Sequence, residues 1–218
     1  MTTETSGRSI SHFALHYPEP SDGPLAARLF ELLGVHVDEP LPLPDGTNFY
    51  RFWVDKRPGV NDGIFYMSRL PEPLRNLQKV IRERLDVGGP NEDPTVAAYR
   101  TAEDYDPELC FHVGVLFASL DDLEERVAAV RADPELSKRV SLTVNRATKG
   151  KDPAIDARME ASPLFSAAER FPYGNYGIQI FLVTDLLAGG PLGERMTVEL
   201  DYVFPGYPEN VFTTVVWQ

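Results

Sequence analysis

The chain has 218 residues, one cysteine and a formal net charge of -12, with 33 acidic against 21 basic residues. That balance, with no Lys/Arg-rich cluster against it, argues against nucleic acid and anionic membrane as partners, and the lone Cys110 excludes an intramolecular disulfide. No apolar run reaches bilayer length and the opening MTTETSGRS carries no apolar core, so the expectation is an untargeted, cytoplasmic chain with ample material for a dry core.

The first predicted element is a strand in SISHFALHYPEP, where His12, Ala14 and His16 share one face and Phe13, Leu15 and Tyr17 the other. Residues four apart on a strand are roughly 13 Å from each other, whereas metal ligands sit about 2 Å from their ion, so at most one of the two histidines serves a given site. SDGPLAARLFELLG follows as a helix, with Ser21 or Asp22 to cap it, Pro24 in its first turn and Gly34 past its end. VHVDEPLPL, TNFYRFWVD and GIFYMSRL read as three short strands separated by turn chemistry. The order is βαβββ, over residues 8–70.

Residues 71–108 hold a helix with Leu74, Leu77, Ile81 and Leu85 on one face, then a polar stretch that reads as a linker. The pattern recurs over 109–205: LCFHVGVLF as a strand, a helix with Ser119 and Asp122 at capping-box spacing, and VSLTVNRA as a strand. An insertion over 148–176 interrupts it, with a short helix starting at Asp152 and Pro153, and its length suits a lid or cavity wall. GIQIFLVTD and ERMTVELDYVFPG close the second unit, and 206–218 offers a terminal strand. Two βαβββ copies about a hundred residues apart make the fold class α+β.

The repeat carries chemistry as well. His12 and His112 occupy matching places in the first strand of each unit, each followed two residues later by a small residue on the same face, Ala14 or Gly114. In RMTVELDYV, Thr197, Glu199 and Asp201 share one face, and a strand that buries hydrophobes on its other side turns such a face toward water or a cavity.

The paired βαβββ units, the matching histidines and the late-strand glutamate of TVELDY resemble the vicinal oxygen chelate superfamily, which includes glyoxalases, bleomycin-resistance proteins and extradiol dioxygenases. The resemblance implies two open half-barrels around a central cavity, with His12, His112 and Glu199 as metal ligands. Two imidazoles and a carboxylate suit Fe(II) or Mn(II), with Zn(II) or Ni(II) as other occupants, and leave positions for substrate oxygens or O₂. GIFYMSRL lacks the fourth ligand that glyoxalase-type members carry, and the strand from Gly177 to Thr184 lacks the histidine base of ring-cleaving members.

The functions this implies are a non-haem Fe(II) dioxygenase-like activity on a small oxygen-bearing substrate, an oxygen-independent lyase, isomerase or resistance enzyme, or a metal-free small-molecule-binding protein. Tyr50, Tyr66, Tyr173, Tyr176 and Trp217 are candidate aromatic pocket residues and Gln179 a candidate substrate contact, although aromatics in strands serve equally as core. His16 reads as a rim residue and His36 as structural. A homodimer suits such an architecture. No glycine-rich phosphate loop, Cys-x-x-Cys pair or nucleophile elbow occurs.

Overall fold

The computed structural model describes residues 12–54, 63–172 and 174–207. The expected terminal strand falls mostly at 208–218, outside the described residues, as does Trp217.

The first unit runs β1 (His12–Tyr17), α1 (Asp22–Leu32), β2 (His36–Val37), β3 (Leu41–Pro42), β4 (Asn48–Trp53) and β5 (Ile64–Arg69). Its sheet has the order β1-β5-β4-β2, with β3 also paired to β4. The expected single strand VHVDEPLPL is broken into two-residue pieces because Pro40 and Pro42 each lack the N–H that a ladder needs. After α2 (Glu72–Arg84) and α3 (Pro94–Tyr105), the second unit runs β6 (His112–Leu116), α4 (Leu120–Ala132), β7 (Val140–Asn145), α5 (Pro153–Ala161), β8 (Gly177–Thr184) and β9 (Met196–Val203). Its sheet has the order β6-β9-β8-β7. Both sheets follow one rule: the unit's first strand lies parallel to its last, and the last is antiparallel to the strand before it.

Local chemistry explains most helix starts. The Ser119 hydroxyl accepts from Asp122 N at 3.3 Å, and Asp152 accepts from Ala154 N and Ile155 N at 2.7 and 3.1 Å. The stretch read as a linker contains α3, because Asp93 caps it through Thr95 N at 2.9 Å and Pro94 sets its first turn. α1 has no such side-chain cap; the Asp22 carboxylate instead accepts from Glu19 N at 3.1 Å and pairs with Arg139 at 3.1 Å.

In the first unit, Leu15, Phe52, Phe65 and Met67 face Leu29 and Phe30 of α1, with the Phe52 and Phe65 rings stacked at 4.5 Å. In the second, Ile178, Ile180, Leu182, Val198 and Leu200 form one core with Leu123, Val127 and Val130 of α4. α1 packs beside α4, and Ala188 N donates to the His16 carbonyl at 2.8 Å, so the two cores are continuous. Arg28 adds a bridge to Asp133 and, at 2.9 Å, to Glu135.

α2 follows its pattern only in part. Its polar side faces the body of the protein: Arg82 pairs with Glu194, and Gln78 lies against Gly193, which has φ +64° and where a Cβ would stand 2.3 Å from Gln78 Oε1. Of the expected apolar stripe, Leu74 and Leu77 are exposed, Leu77 at 55%, while Ile81 and Leu85 are half-buried. Glu194 also accepts from Arg100 of α3 at 2.8 and 2.9 Å, so one carboxylate ties both helices to the β8–β9 connection. Burial raises the Glu194 carboxyl, but the hydrogen bonds and charges of Arg100 and Arg82 outweigh it and hold the group below its ordinary range.

Removing that carboxylate leaves two guanidinium groups without their shared partner. Glu194→Ala is expected to destabilise the fold by about 1–3 kcal/mol, between the values for surface and buried pairs. Because the folded carboxyl is the more acidic, its contribution is present above the ordinary value of 4.5 and fades as the pH drops through the folded value. Urea unfolding from pH 7 downward checks this: wild type and variant differ most at pH 7, and the gap narrows as the pH falls below 4.5.

Candidate metal centre

The site grows from the polar face of β9. Strand register places His112 of β6 and Val183 of β8 opposite Thr197, Gly114 and Phe181 opposite Glu199, and Leu116 and Gln179 opposite Asp201. Opposed residues share a face, so these side chains converge above one surface of the second sheet. Of the two expected surroundings, water or a cavity, open water is absent: Thr197, Glu199 and Asp201 are only 1%, 3% and 7% exposed, and Thr197 lines a pocket. Gly114 leaves room for them, since a Cβ there would stand 3.4 Å from Asp201 Oδ2 and 4.0 Å from Glu199 Oε2.

His112 Nδ1 donates to the Cys110 carbonyl at 2.8 Å, which fixes the ring and leaves Nε2 as the nitrogen free to ligate. Nε2 lies 3.3 Å from Glu199 Oε2. Glu108 enters from the short 3₁₀ turn Pro107–Leu109, where Asp106 caps the turn by accepting from Glu108 N at 3.2 Å. One ligand atom from each of Glu108, His112 and Glu199 lies within 4.8 Å of the other two. Donors held about 2.1 Å from one ion stand roughly 3–4 Å apart, so the three could close on a divalent cation with little movement.

Both carboxylates are oriented by one carboxamide. Gln179 Nε2 donates to Glu199 Oε1 at 2.7 Å and to Glu108 Oε2 at 2.8 Å. Its Oε1 accepts from Asn145 Nδ2 at 3.3 Å, and Asn145 Oδ1 accepts from Arg170 Nε at 3.2 Å.

Burial pushes the Glu199 carboxyl up, and the nearby Glu108 charge adds to it, against the lowering effects of Asp201, His112 and Gln179. Asp201 is pushed up to about 9, by burial first and by Glu199 second. Its buried Oδ1 is offered no N–H or hydroxyl, so the group keeps its proton and shares it with Glu199. Among the described residues, neither a lysine nor an arginine is one of the main influences on Glu199. This buried surplus of carboxyl groups, with one imidazole nitrogen facing it, is the donor chemistry of a hard or borderline divalent cation.

His112 and Glu199 therefore meet as expected, and Glu108 is their third partner. His12 stands elsewhere, exposed on the first sheet, its ring 4.8 Å from Tyr66, which in turn lies 5.3 Å from Phe49. Tyr66 belongs to that ladder. Tyr50 is 2% exposed on the opposite face, in the core beside Tyr17, and burial raises its phenol. Tyr176 stacks on Tyr207 at 3.9 Å, and Gln179 is engaged by the two carboxylates. Tyr173 lies outside the described residues. Glu108 was hidden in the supposed linker, yet Asp106-Pro107 repeats the Asp-Pro start seen at 93–94 and 152–153.

A pocket of about 270 Å³ is lined by Ser141, Thr143, Thr197, Cys110 and Phe111 among others, and its lining includes none of the three donor residues. Thr197, the register partner of His112, is the residue that the pocket lining shares with the polar face of β9. Arg195 stands at the pocket, held by Glu103 and Asp104 at 3.2 and 2.7 Å. Burial, then the Glu103 charge, raises the Cys110 thiol to about 11, so it is a wall and not a nucleophile at neutral pH. A larger cavity of about 550 Å³ lies between α2 and the β8–β9 connection and includes none of the three donor residues.

No family model, curated protein or solved structure matches this chain. Among the described residues, no helix is long and apolar enough to cross a membrane.

The Asp201 proton gives a stability test. The folded protein keeps it up to about pH 9 while the unfolded chain releases it near 3.8, so this group lowers stability as pH rises between the two. Asp201→Asn keeps the shape and removes the titration. Chelator-treated variant should melt above chelator-treated wild type at pH 8, with the gap shrinking toward pH 4; equal melting temperatures at pH 8 would contradict a buried neutral acid.

Proposed function

We propose that the chain is a metal-dependent enzyme of the vicinal oxygen chelate type, with its two βαβββ sheets as half-barrels, acting on a small oxygen-bearing organic substrate. The observation that carries this reading is the convergence of Glu108, His112 and Glu199 within 4.8 Å, with Gln179 bonded to both carboxylates. The donor set differs from the expected one, Glu108 standing in place of His12. One imidazole and two carboxylates favour Fe(II) or Mn(II) over softer ions. Such an ion supplies Lewis acidity toward a pair of substrate oxygens and, as Fe(II), the capacity to use O₂.

The chain's own residues do the remaining work. The Cys110 carbonyl holds His112 in its ligating tautomer, and Gln179 fixes the direction of both carboxylates before any ligand arrives. Ser141 and Thr143, on the same sheet face as Glu199, line a separate pocket with Phe111, where their hydroxyls can hold a polar part of a substrate. A dioxygenase-like reaction is the preferred assignment. A second reading, an oxygen-independent isomerase or lyase, is favoured by Asp201, a protonated acid beside Glu199 that can return a proton taken elsewhere in the site.

The test starts with elemental analysis of protein loaded anaerobically with Fe(II) or Mn(II). One ion per chain is expected for wild type and for His12→Ala, and less than a tenth of that occupancy, roughly, for His112→Ala or Glu199→Ala at the same free metal. No metal in wild type, or loss on His12→Ala alone, refutes the site. Turnover of a panel of small hydroxy and carbonyl compounds with and without O₂ then separates the two reactions.

A further inference from the structure

Beyond the three donors and the carboxamide that touches them, the structure contains a hydrogen-bonded line with a fixed polarity. It runs from Arg170 to Asn145 to Gln179 and ends on Glu108 and Glu199. An amide can be turned either way, presenting oxygen or nitrogen to a neighbour; a guanidinium only donates. Arg170 Nε, by donating to Asn145 Oδ1, obliges Asn145 to point its NH₂ at Gln179 Oε1. Gln179 is then obliged to point its own NH₂ at the two carboxylates. With the polarity reversed, an amide oxygen would face two carboxylates in a buried space, where Gln179 and Asn145 are only 4% and 5% exposed.

Arg170 is set for this role by its backbone. It forms a parallel bridge with Asn145, and its carbonyl accepts from Arg146 N at 2.9 Å, so the insertion that carries it adds to the edge of β7. Asn145 and Gln179 are themselves register partners across β7 and β8, which fixes their separation.

We propose that Arg170 is a positioning residue of the metal centre, acting through Asn145 and Gln179 to aim the carboxylates of Glu108 and Glu199. The role rests on the metal reading above and adds a regulatory consequence. The insertion holds the donors in their binding arrangement, and by reciprocity a bound ion holds the insertion on β7.

Mn²⁺ titration by calorimetry, with side-chain ¹⁵N spectra of the chelated protein, tests it. Arg170→Leu removes the donor and should weaken Mn²⁺ binding about tenfold, the lower end of what an outer-shell partner costs, while Arg170→Lys should restore most of it. In the chelated protein, Arg170→Leu should also shift the Gln179 carboxamide resonance. Asn145→Ala combined with Arg170→Leu should weaken binding little more than either change alone, because both cut one line. Hydrogen exchange over 163–172 should slow on adding Mn²⁺ to wild type and remain unchanged in Arg170→Leu. Wild type and Arg170→Leu binding Mn²⁺ equally, or two losses that add in full, would overturn the role alone. Wild type taking up neither Mn²⁺ nor, anaerobically, Fe²⁺ would overturn the metal reading and the role with it.

Discussion

The rest of the second unit depends on one constraint: β9 carries two acidic side chains, Glu199 and Asp201, into a surface that the fold closes over. An isolated buried carboxylate costs far more than a domain's net stability, so the surroundings must share its charge, donate to it or keep it protonated. All three responses occur. His112 faces Glu199, Gln179 donates to it, and Asp201 keeps its proton. Gly114 lies opposite Glu199, where an added Cβ would touch the Asp201 and Glu199 carboxyl groups at ordinary contact distance.

The sheet order explains why this burden falls on β9. As the unit's last strand it lies between β6 and β8, so its polar face is flanked on both sides and can draw partners from either neighbour. The corresponding strand of the first unit, β5, has the same position between β1 and β4, but Tyr66 and Ser68 occupy its equivalent face. With no carboxylate to satisfy, that face carries the His12–Tyr66–Phe49 ladder and the 3.4 Å contact of His16 Nδ1 with the Ser68 hydroxyl. Two units of like topology thus differ in chemistry because a few residues on one central strand differ.

What was legible in the sequence followed from local rules. Strand alternation put Thr197, Glu199 and Asp201 on one face, and capping residues marked Ser119 and Asp152 as helix starts. His112 and Glu199 were found by matching two repeats, and the same matching proposed His12; repetition equates positions along the chain, but it does not bring two sheets' strands to one point. Glu108 was missed because its importance lies in a turn that returns to β9 some ninety residues away, where no periodicity applies. The orientation of α2 was equally hidden. Its leucines set the pattern, yet the competition was decided by Glu194, more than a hundred residues further on, which draws Arg82 inward.

The excess of acid over base acquires a second meaning from this arrangement. Read as composition, a net charge of -12 disfavours anionic partners. The same field draws divalent cations toward the chain, and it is strongest in effect where carboxylates are withdrawn from water and screening is weak. Among the described residues, neither an arginine nor a lysine is one of the main influences on Glu199, while arginines elsewhere are taken up by Glu194, Glu103, Asp104, Glu124 and Asp133. Basic side chains pair with these acids, and Glu199 is left to the imidazole and the carboxamide. The resulting division, arginines for the scaffold and an unneutralised carboxylate for the site, separates acids that stabilise the fold from acids that burden it.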